Sequence, residues 1–296
     1  MSTTTSIRTV ITALLIVHNQ EHLLKQHLST LSIHIQQNKG SIMVIDNNSS
    51  DNTQEYLNTH FPNIHYMKNT LEEKTSETFN KCLPFIHTPY IMLCDPHLQC
   101  IELNIKRLIT QCIKEKLFLL TLPISTFNKN LHTYISRQLK FKNATLKIKK
   151  TSSPQKQNCI ISDAMILRTK DLILQNGLKS QYKSFSFSLF DFSISCLKKG
   201  LKQNYSTIDI IRNKATPNSL PYKESKKDYL HDSVLFQYLQ CHSYKYKISR
   251  FIINIANCLT FKPKKCFATI EAWLQYLFIF KKNKSNWFIL KDTDIL

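Results

Sequence analysis

Tyr90-Ile91-Met92-Leu93-Cys94-Asp95-Pro96-His97 is an apolar run that ends abruptly in an acid, a proline and a histidine. Such a pattern reads as a buried strand that delivers two metal-ligand side chains to its carboxyl end. Residues two apart in an extended chain point to the same side, so Asp95 and His97 can converge on one ion while Pro96 stiffens the turn. A carboxylate with an imidazole suits Mn²⁺ somewhat better than Mg²⁺. An Asp-Pro turn followed by a surface histidine is the other reading of these three residues, and the order of the flanking segments decides between them.

Upstream, Thr9 to Val17 is rich in β-branched residues and reads as the first strand, stopping at His18-Asn19. Glu21 to Gln36 carries Leu24, Leu28, Leu31 and Ile35 at helical spacing. Ser41 to Ile45 is a second short strand, and it runs into the polar turn Asp46-Asn47-Asn48-Ser49-Ser50-Asp51-Asn52-Thr53. A helix over 53–60, a strand over 64–68 and a helix over 72–86 then lead to the strand ending at Asp95. This alternation predicts an α/β fold whose mostly parallel sheet has helices on both faces and binds ligands beyond the carboxyl ends of its strands. His18, Asp46 and Asp95 then share one edge.

This order of motifs resembles family-2 glycosyltransferases of the GT-A fold, particularly their rhamnosyltransferase-like branch. Val17-His18-Asn19 matches the family's opening strand and turn, and Asp46 to Thr53 matches its Asp-Asn-x-Ser-x-Asp-x-Thr pattern at every fixed position. The resemblance covers roughly residues 9 to 215, most closely up to His97. It implies a nucleotide-sugar donor contacted by Val17, His18, Asn19, Asp46, Asn48, Asn80 and Asp95, with Asn69 also on the nucleotide side. In this fold Asp46 accepts a hydrogen bond from the base, and Asp95 with His97 holds a divalent metal, Mn²⁺ or Mg²⁺. His97 departs from the branch, which has a second Asp there, but Asp-x-His is the metal motif of the polypeptide N-acetylgalactosaminyltransferases. A second departure is graver: Ser188-Leu189 stands where the family has the Glu-Asp pair that supplies its general base. Asp191, the downstream acid, and Asp163, which replaces a family glycine, are the remaining candidates for that role. Two functions stay open: an inverting transferase acting on a glycan or lipid-linked acceptor, or a degenerate relative that binds nucleotide or glycan without turnover.

The 296 residues carry 40 Lys+Arg against 20 Asp+Glu, a net charge of +20 that implies an anionic partner. From Lys116 to Ser162 there is no acid at all. Tyr134 and Phe141 interleave with Arg137, Lys140, Lys142, Lys147, Lys149 and Lys150, which fits an acceptor-side or membrane-facing segment better than a nucleic-acid groove. Nine scattered cysteines without a CxxC pair argue for reduced thiols, and neither a signal peptide nor an apolar stretch of roughly 18 residues is present. The expected location is cytoplasmic, with peripheral attachment to a membrane allowed. Only 3 glycines occur, so Asn must fill turn positions that want a positive φ.

The expected division is a GT-A domain over 1–215 and a helical extension over 216–296. In the extension, Leu230, Val234, Leu235 and Tyr238 form one apolar stripe, Ile248, Phe251, Ile252, Ile255 and Leu259 a second, and Phe267, Ile270, Leu274 and Leu277 a third. Lysines flank all three. With Trp273 and Phe278 they predict contact of the 229–280 segment with an anionic membrane surface, or a helical lid on the domain.

Overall fold

The structure is a computed structural model that describes residues 10–128, 131–142, 145–151, 159–206, 210–213, 226–240 and 263–282. Its first half alternates as the sequence predicts: β1 (Ile11–Val17), α1 (Glu21–Gln37), β2 (Ser41–Asp46), α2 (Thr53–His60), β3 (His65–Lys68), α3 (Thr75–Cys82), a short 3-10 turn (Leu83–Phe85) and β4 (Tyr90–Cys94). These four strands are parallel, in the spatial order β4-β1-β2-β3. All seven residues of β1 are buried because both faces of the sheet are covered. Leu14 and Ile16 enter the core beneath one face, whereas Ala13, Leu15 and Val17 enter the core beneath the other. Leu24, Leu28, Leu31 and Ile35 of α1 close the second core.

Past β4 the chain runs through β5 (Leu98–Glu102), α4 (Ile105–Glu115), β6 (Leu117–Thr121), β7 (Ile124–Asn128), β8 (Leu131–Lys142), β9 (Thr145–Thr151), β10 (Ile160–Ile161) and β11 (Ala164–Arg168). Next come α5 (Thr169–Leu174), α6 (Phe185–Lys198), β12 (Lys202–Tyr205), β13 (Ile210–Asn213), α7 (Lys226–Gln240) and α8 (Pro263–Lys282). Strand β11 inserts antiparallel between β4 and β6, and β12 completes the seven-stranded sheet. A second sheet has the order β10-β8-β7-β13-β5, with β9 paired to β8.

Three local features shape the second half. The apolar run 117–124 breaks after Thr121, so that Ile124 starts β7 in the second sheet. The run 160–168 breaks at Ser162-Asp163, where the Ser162 hydroxyl donates to the Leu122 carbonyl at 3.1 Å. The acid-free tract includes a hairpin of β8 and β9, in which Arg137 is in register with Lys150 and Lys140 with Lys147.

Beyond residue 215, Val234, Leu235, Phe236 and Tyr238 of α7 and Ala272 of α8 belong to the same apolar core as β1, β4 and α6. The first expected stripe of the extension is therefore internal. The second, Ile248 to Leu259, lies outside the described residues. Among the described residues no helix is long and apolar enough to cross a membrane. Cys82, Cys94, Cys100, Cys112, Cys159 and Cys196 are buried and free.

Candidate active site

The polar turn after β2 is built by its own side chains. Asp46 is fully buried, and its carboxylate accepts from the Ser49 N–H at 2.6 Å and from the Tyr66 hydroxyl at 2.7 Å. Burial, and then the bond to Asp46, push the Tyr66 phenol far above its usual range, so it stays a donor. Asn47 is the hub. Its side-chain oxygen accepts from Asn69 (2.9 Å), the Glu73 N–H (3.1 Å) and Thr78 (3.0 Å), while its amide donates to the Glu73 carbonyl at 2.7 Å. Asp51 reaches the starts of two helices, accepting from the Glu21 N–H of α1 at 3.0 Å and the Thr53 N–H of α2 at 3.1 Å. Partial burial raises its pKa, but the hydrogen bonds from Thr53 and Glu21 outweigh that and leave it lowered. A carboxylate at a helix N-terminus also offsets the partial positive charge of the unsatisfied N–H groups.

The inward side chains hold the turn, and the remaining ones face outward. Asn19 and Asn48 adopt left-handed backbone at φ 52° and 66°. Asn19 locks the two turns together: its side-chain oxygen accepts from the Ser50 N–H at 2.7 Å, and its own N–H donates to Ser49 at 2.9 Å. His18 is exposed and bonds through Nδ1 to the Asn47 carbonyl at 2.9 Å, which places the proton on Nδ1. Val17 is buried, and its carbonyl accepts from the Asn47 N–H. Of the residues expected to touch a nucleotide, His18 and Asn19 are exposed, Asn48, Asn80 and Asp95 are half-buried, and Val17, Asp46 and Asn69 are buried. A base would reach the Asp46 carboxylate only by displacing Ser49 or Tyr66. Asn80 is committed elsewhere, as both edges of its amide bond the Leu178 backbone, and Asn69 is consumed by Asn47 and Thr78.

One parallel strand away from β2, beyond β1, lies the end of β4. At two inter-strand spacings, Asp95 stands roughly 10 Å from Asp46 along the same edge. His97 turns back on Asp95: its N–H donates to Asp95 Oδ1 at 2.9 Å, and its Nδ1 lies 2.8 Å from the same oxygen. The two side chains are 13% and 15% exposed, so they open to solvent without being desolvated completely. This pairing fixes the ring tautomer and leaves Nε2 as the nitrogen able to take a metal. Among the described residues no group of three or more His, Cys, Asp and Glu side chains could hold an ion alone. With Nδ1 on Asp95, Nε2 points away from that carboxylate, so Asp95 and His97 would hold one ion together only once this bond opens and the ring turns, and substrate oxygens would then complete the site.

Asp163 is the neighbour of Asp95, because the Asp95 N–H donates to the Asp163 carbonyl at 2.9 Å where β11 meets β4. Its carboxylate pairs with Arg137, which also donates to Ser186 at 2.9 Å. Asp191 sits differently. It lies within α6, 3% exposed, and its Oδ1 accepts from the Tyr182 hydroxyl and from Gln240, each at 2.7 Å. Burial pushes its carboxyl pKa up, with the Tyr182 and Gln240 bonds opposing. Buried between α6 and α7 with both donors on Oδ1, Asp191 has a packing role in this structure, and its geometry lends the expectation of Asp191 as a base no support. Ser188 and Leu189 are likewise buried, with Ser188 donating to the Lys179 carbonyl at 2.6 Å. Arg137 and Tyr66 join this edge with little signal in the sequence. One lies in a tract dominated by its charge, the other in a strand of only four residues.

A seven-stranded sheet of this order, with the β1 and β2 turns and an Asp-x-His pair on one edge, defines a glycosyltransferase domain of GT-A architecture. The family model described as glycosyl transferase family 2 matches residues 12–175, and the chain belongs to that family. Solved structures agree in fold. Staphylococcus aureus TarS 1-349 in complex with UDP-GlcNAc superposes with a TM-score of 0.62 at 11% identity, over 91% of this chain and 81% of that one. TarS 1-349 in complex with UDP gives 0.57 at 11%, over 78% and 65%. GalNAc-T7 with UDP, GalNAc and Mn²⁺ gives 0.64 at 11%, over 81% of this chain and 49% of that one. The chain thus spans less than two thirds of two of these three. No curated protein matches the sequence.

Proposed function

We propose that the chain transfers a sugar from a nucleotide-sugar donor to a glycan or lipid-linked acceptor, with inversion and with a divalent ion held by Asp95 and His97. The observation that carries this reading is the convergence of His18-Asn19, the Asp46 to Thr53 turn and Asp95-His97 on one sheet edge. His18, Asn19 and Asn48 flank the nucleotide, and Asp46 acts from below by fixing the turn. Asp95 and His97 would hold Mn²⁺ or Mg²⁺, which would supply charge neutralisation for a departing diphosphate. UDP in the TarS complex and UDP with Mn²⁺ in the GalNAc-T7 structure support the donor class and the metal. The motif Asp46 to Thr53 favours the rhamnosyltransferase-like branch.

For the acceptor proton we assign Asp163, the carboxylate beside Asp95. The acceptor oxygen attacks the anomeric carbon, the bond to the diphosphate oxygen breaks, and the hydroxyl proton passes to Asp163 while Arg137 orients that side chain through Oδ1. A second reading, nucleotide binding without turnover, is favoured by the buried Ser188 and Leu189 where the family has its acidic pair.

A donor panel with Mn²⁺, scored for nucleotide release and for transfer, separates the two. Transfer by the wild type, lowered ~10²–10⁴-fold in Asp163→Asn with nucleotide affinity unchanged, is the expected result. Binding of nucleotide with no turnover of any donor supports the second reading.

A further inference from the structure

Among the described residues, helix α8 is anchored to the domain by one face. Ala268 and Ala272 are fully buried, the Tyr276 ring stacks on Tyr238 with centroids 5.2 Å apart, and Gln275 donates to the Gln181 carbonyl at 3.0 Å. Lys183 donates to Glu271 at 2.8 Å, which further fixes the rotation of the helix. At 100° per residue, the opposite side presents Phe267, Ile270, Trp273 and Leu274 within an arc of about 120°. They are 70%, 46%, 45% and 56% exposed. Four large apolar side chains in one arc, held outward by an anchored face, form a surface that is incomplete in water.

The chain itself says what kind of surface covers it. Lys264 and Lys265 open α8, Lys281 and Lys282 close it, and the whole protein carries +20. A second copy docked on this stripe would set those lysine pairs and that net charge against themselves, which disfavours self-association. An anionic bilayer meets both features: its acyl boundary takes Phe267, Ile270 and Leu274, its interface takes the Trp273 ring, and its headgroups meet the net positive charge, to which Lys281 at the angle of the stripe and Lys264 and Lys282 about 60° beyond its edge contribute. We propose that this face of α8 lies in the plane of an anionic lipid surface. The inference narrows the expected 229–280 contact, since α7 is committed to the core. It is independent of the transfer reaction, which nucleotide release in the absence of lipid reads separately.

The test uses the full chain and vesicles of phosphatidylglycerol with phosphatidylcholine, against vesicles of phosphatidylcholine alone. Co-sedimentation with the anionic vesicles that fades at high salt is expected, with Phe267→Glu and Leu274→Glu each weakening it roughly tenfold or more. In a Trp287→Phe background, Trp273 emission should shift to the blue on anionic vesicles. Both charge substitutions fall at exposed positions, so unchanged melting temperatures confirm that the fold is kept. Absence of sedimentation at low salt overturns the proposal, as does sedimentation that the two glutamates leave unchanged. A concentration-dependent dimer dispersed by those glutamates overturns it in favour of a second copy.

Discussion

The amide of Asn80 pairs both ways with the backbone of Leu178, donating to its carbonyl and accepting from its N–H, each at 2.7 Å. Beside this clamp, Gly177 adopts φ 76°, and a Cβ there would stand 2.3 Å from the Asn80 side-chain oxygen. Asn80→Ala should lower stability by about 2 kcal/mol, two hydrogen bonds at about 1 kcal/mol each. Gly177→Ala should cost about as much or more, because it adds left-handed strain to the clash. Nucleotide affinity of the folded Asn80→Ala protein should match wild type. A large loss of affinity at unchanged stability would return Asn80 to the nucleotide edge.

Asp191 offers a test by pH. Its folded-state pKa lies above the unfolded value near 3.8, so the native state holds the proton more firmly. Its favourable contribution is complete below about pH 3.8 and is lost as pH rises through the raised folded value. In Asp191→Asn the amide oxygen can still accept from Tyr182 and Gln240 while the buried charge is gone. That variant should therefore equal or exceed wild-type stability at pH 7, with the difference shrinking as pH falls toward 4. Asp191→Ala should lose about 2–4 kcal/mol by leaving two buried donors unpaired. Paired denaturant titrations at pH 4 to 7 measure both, and a wild type that gains on its Asn variant as pH rises would contradict the account.

Asp51 shows the opposite sign. Its lowered pKa means that its contribution is present above about pH 3.8 and disappears as pH drops through the folded value. Since it serves the first N–H groups of α1 and α2 together, Asp51→Ala should cost about 1–2 kcal/mol at pH 7. Asp51→Asn should recover part of that. Thermal melts of the two variants at pH 7 decide the matter, with equal loss in both pointing to charge rather than acceptor geometry.

For Asp95 and His97, nucleoside diphosphate should raise the melting temperature more with Mn²⁺ than with chelator. Stabilisation by a ligand at about 100 times its dissociation constant is about 2.7 kcal/mol, which is easily resolved. His97→Ala should abolish the Mn²⁺ increment while leaving the metal-free response. Identical shifts for wild type and His97→Ala would separate His97 from the ion.

The first half of the fold is legible in the sequence because its signals are local: a run such as Leu14-Leu15-Ile16-Val17 with no polar face requires cover on both sides, and helices between such runs impose parallel pairing. The hairpin of β8 and β9 is harder to see, although its alternation is present in Leu139-Lys140-Phe141-Lys142 and Leu146-Lys147-Ile148-Lys149; the density of positive charge there masks the period. At the site, residue identity locates the turn but not the direction of its side chains. Asp46, Asn69 and Asn80 look like ligand contacts in a string of polar letters, and only the tertiary partners, Tyr66, Thr78 and Leu178, show that their hydrogen bonds are already taken.

Asn19 and Asn48 hold left-handed turns that glycine would hold with more freedom, and Asn47 and Asp51 pin those turns to three separate segments. The turn is thus held by the protein's own side chains. At the proposed nucleotide site, association should immobilise the ligand but little of the protein, so the entropy lost on binding should be mostly the nucleotide's own. Calorimetry should accordingly find a heat-capacity change that scales with ligand surface alone, without the further decrease that accompanies a loop folding around its guest.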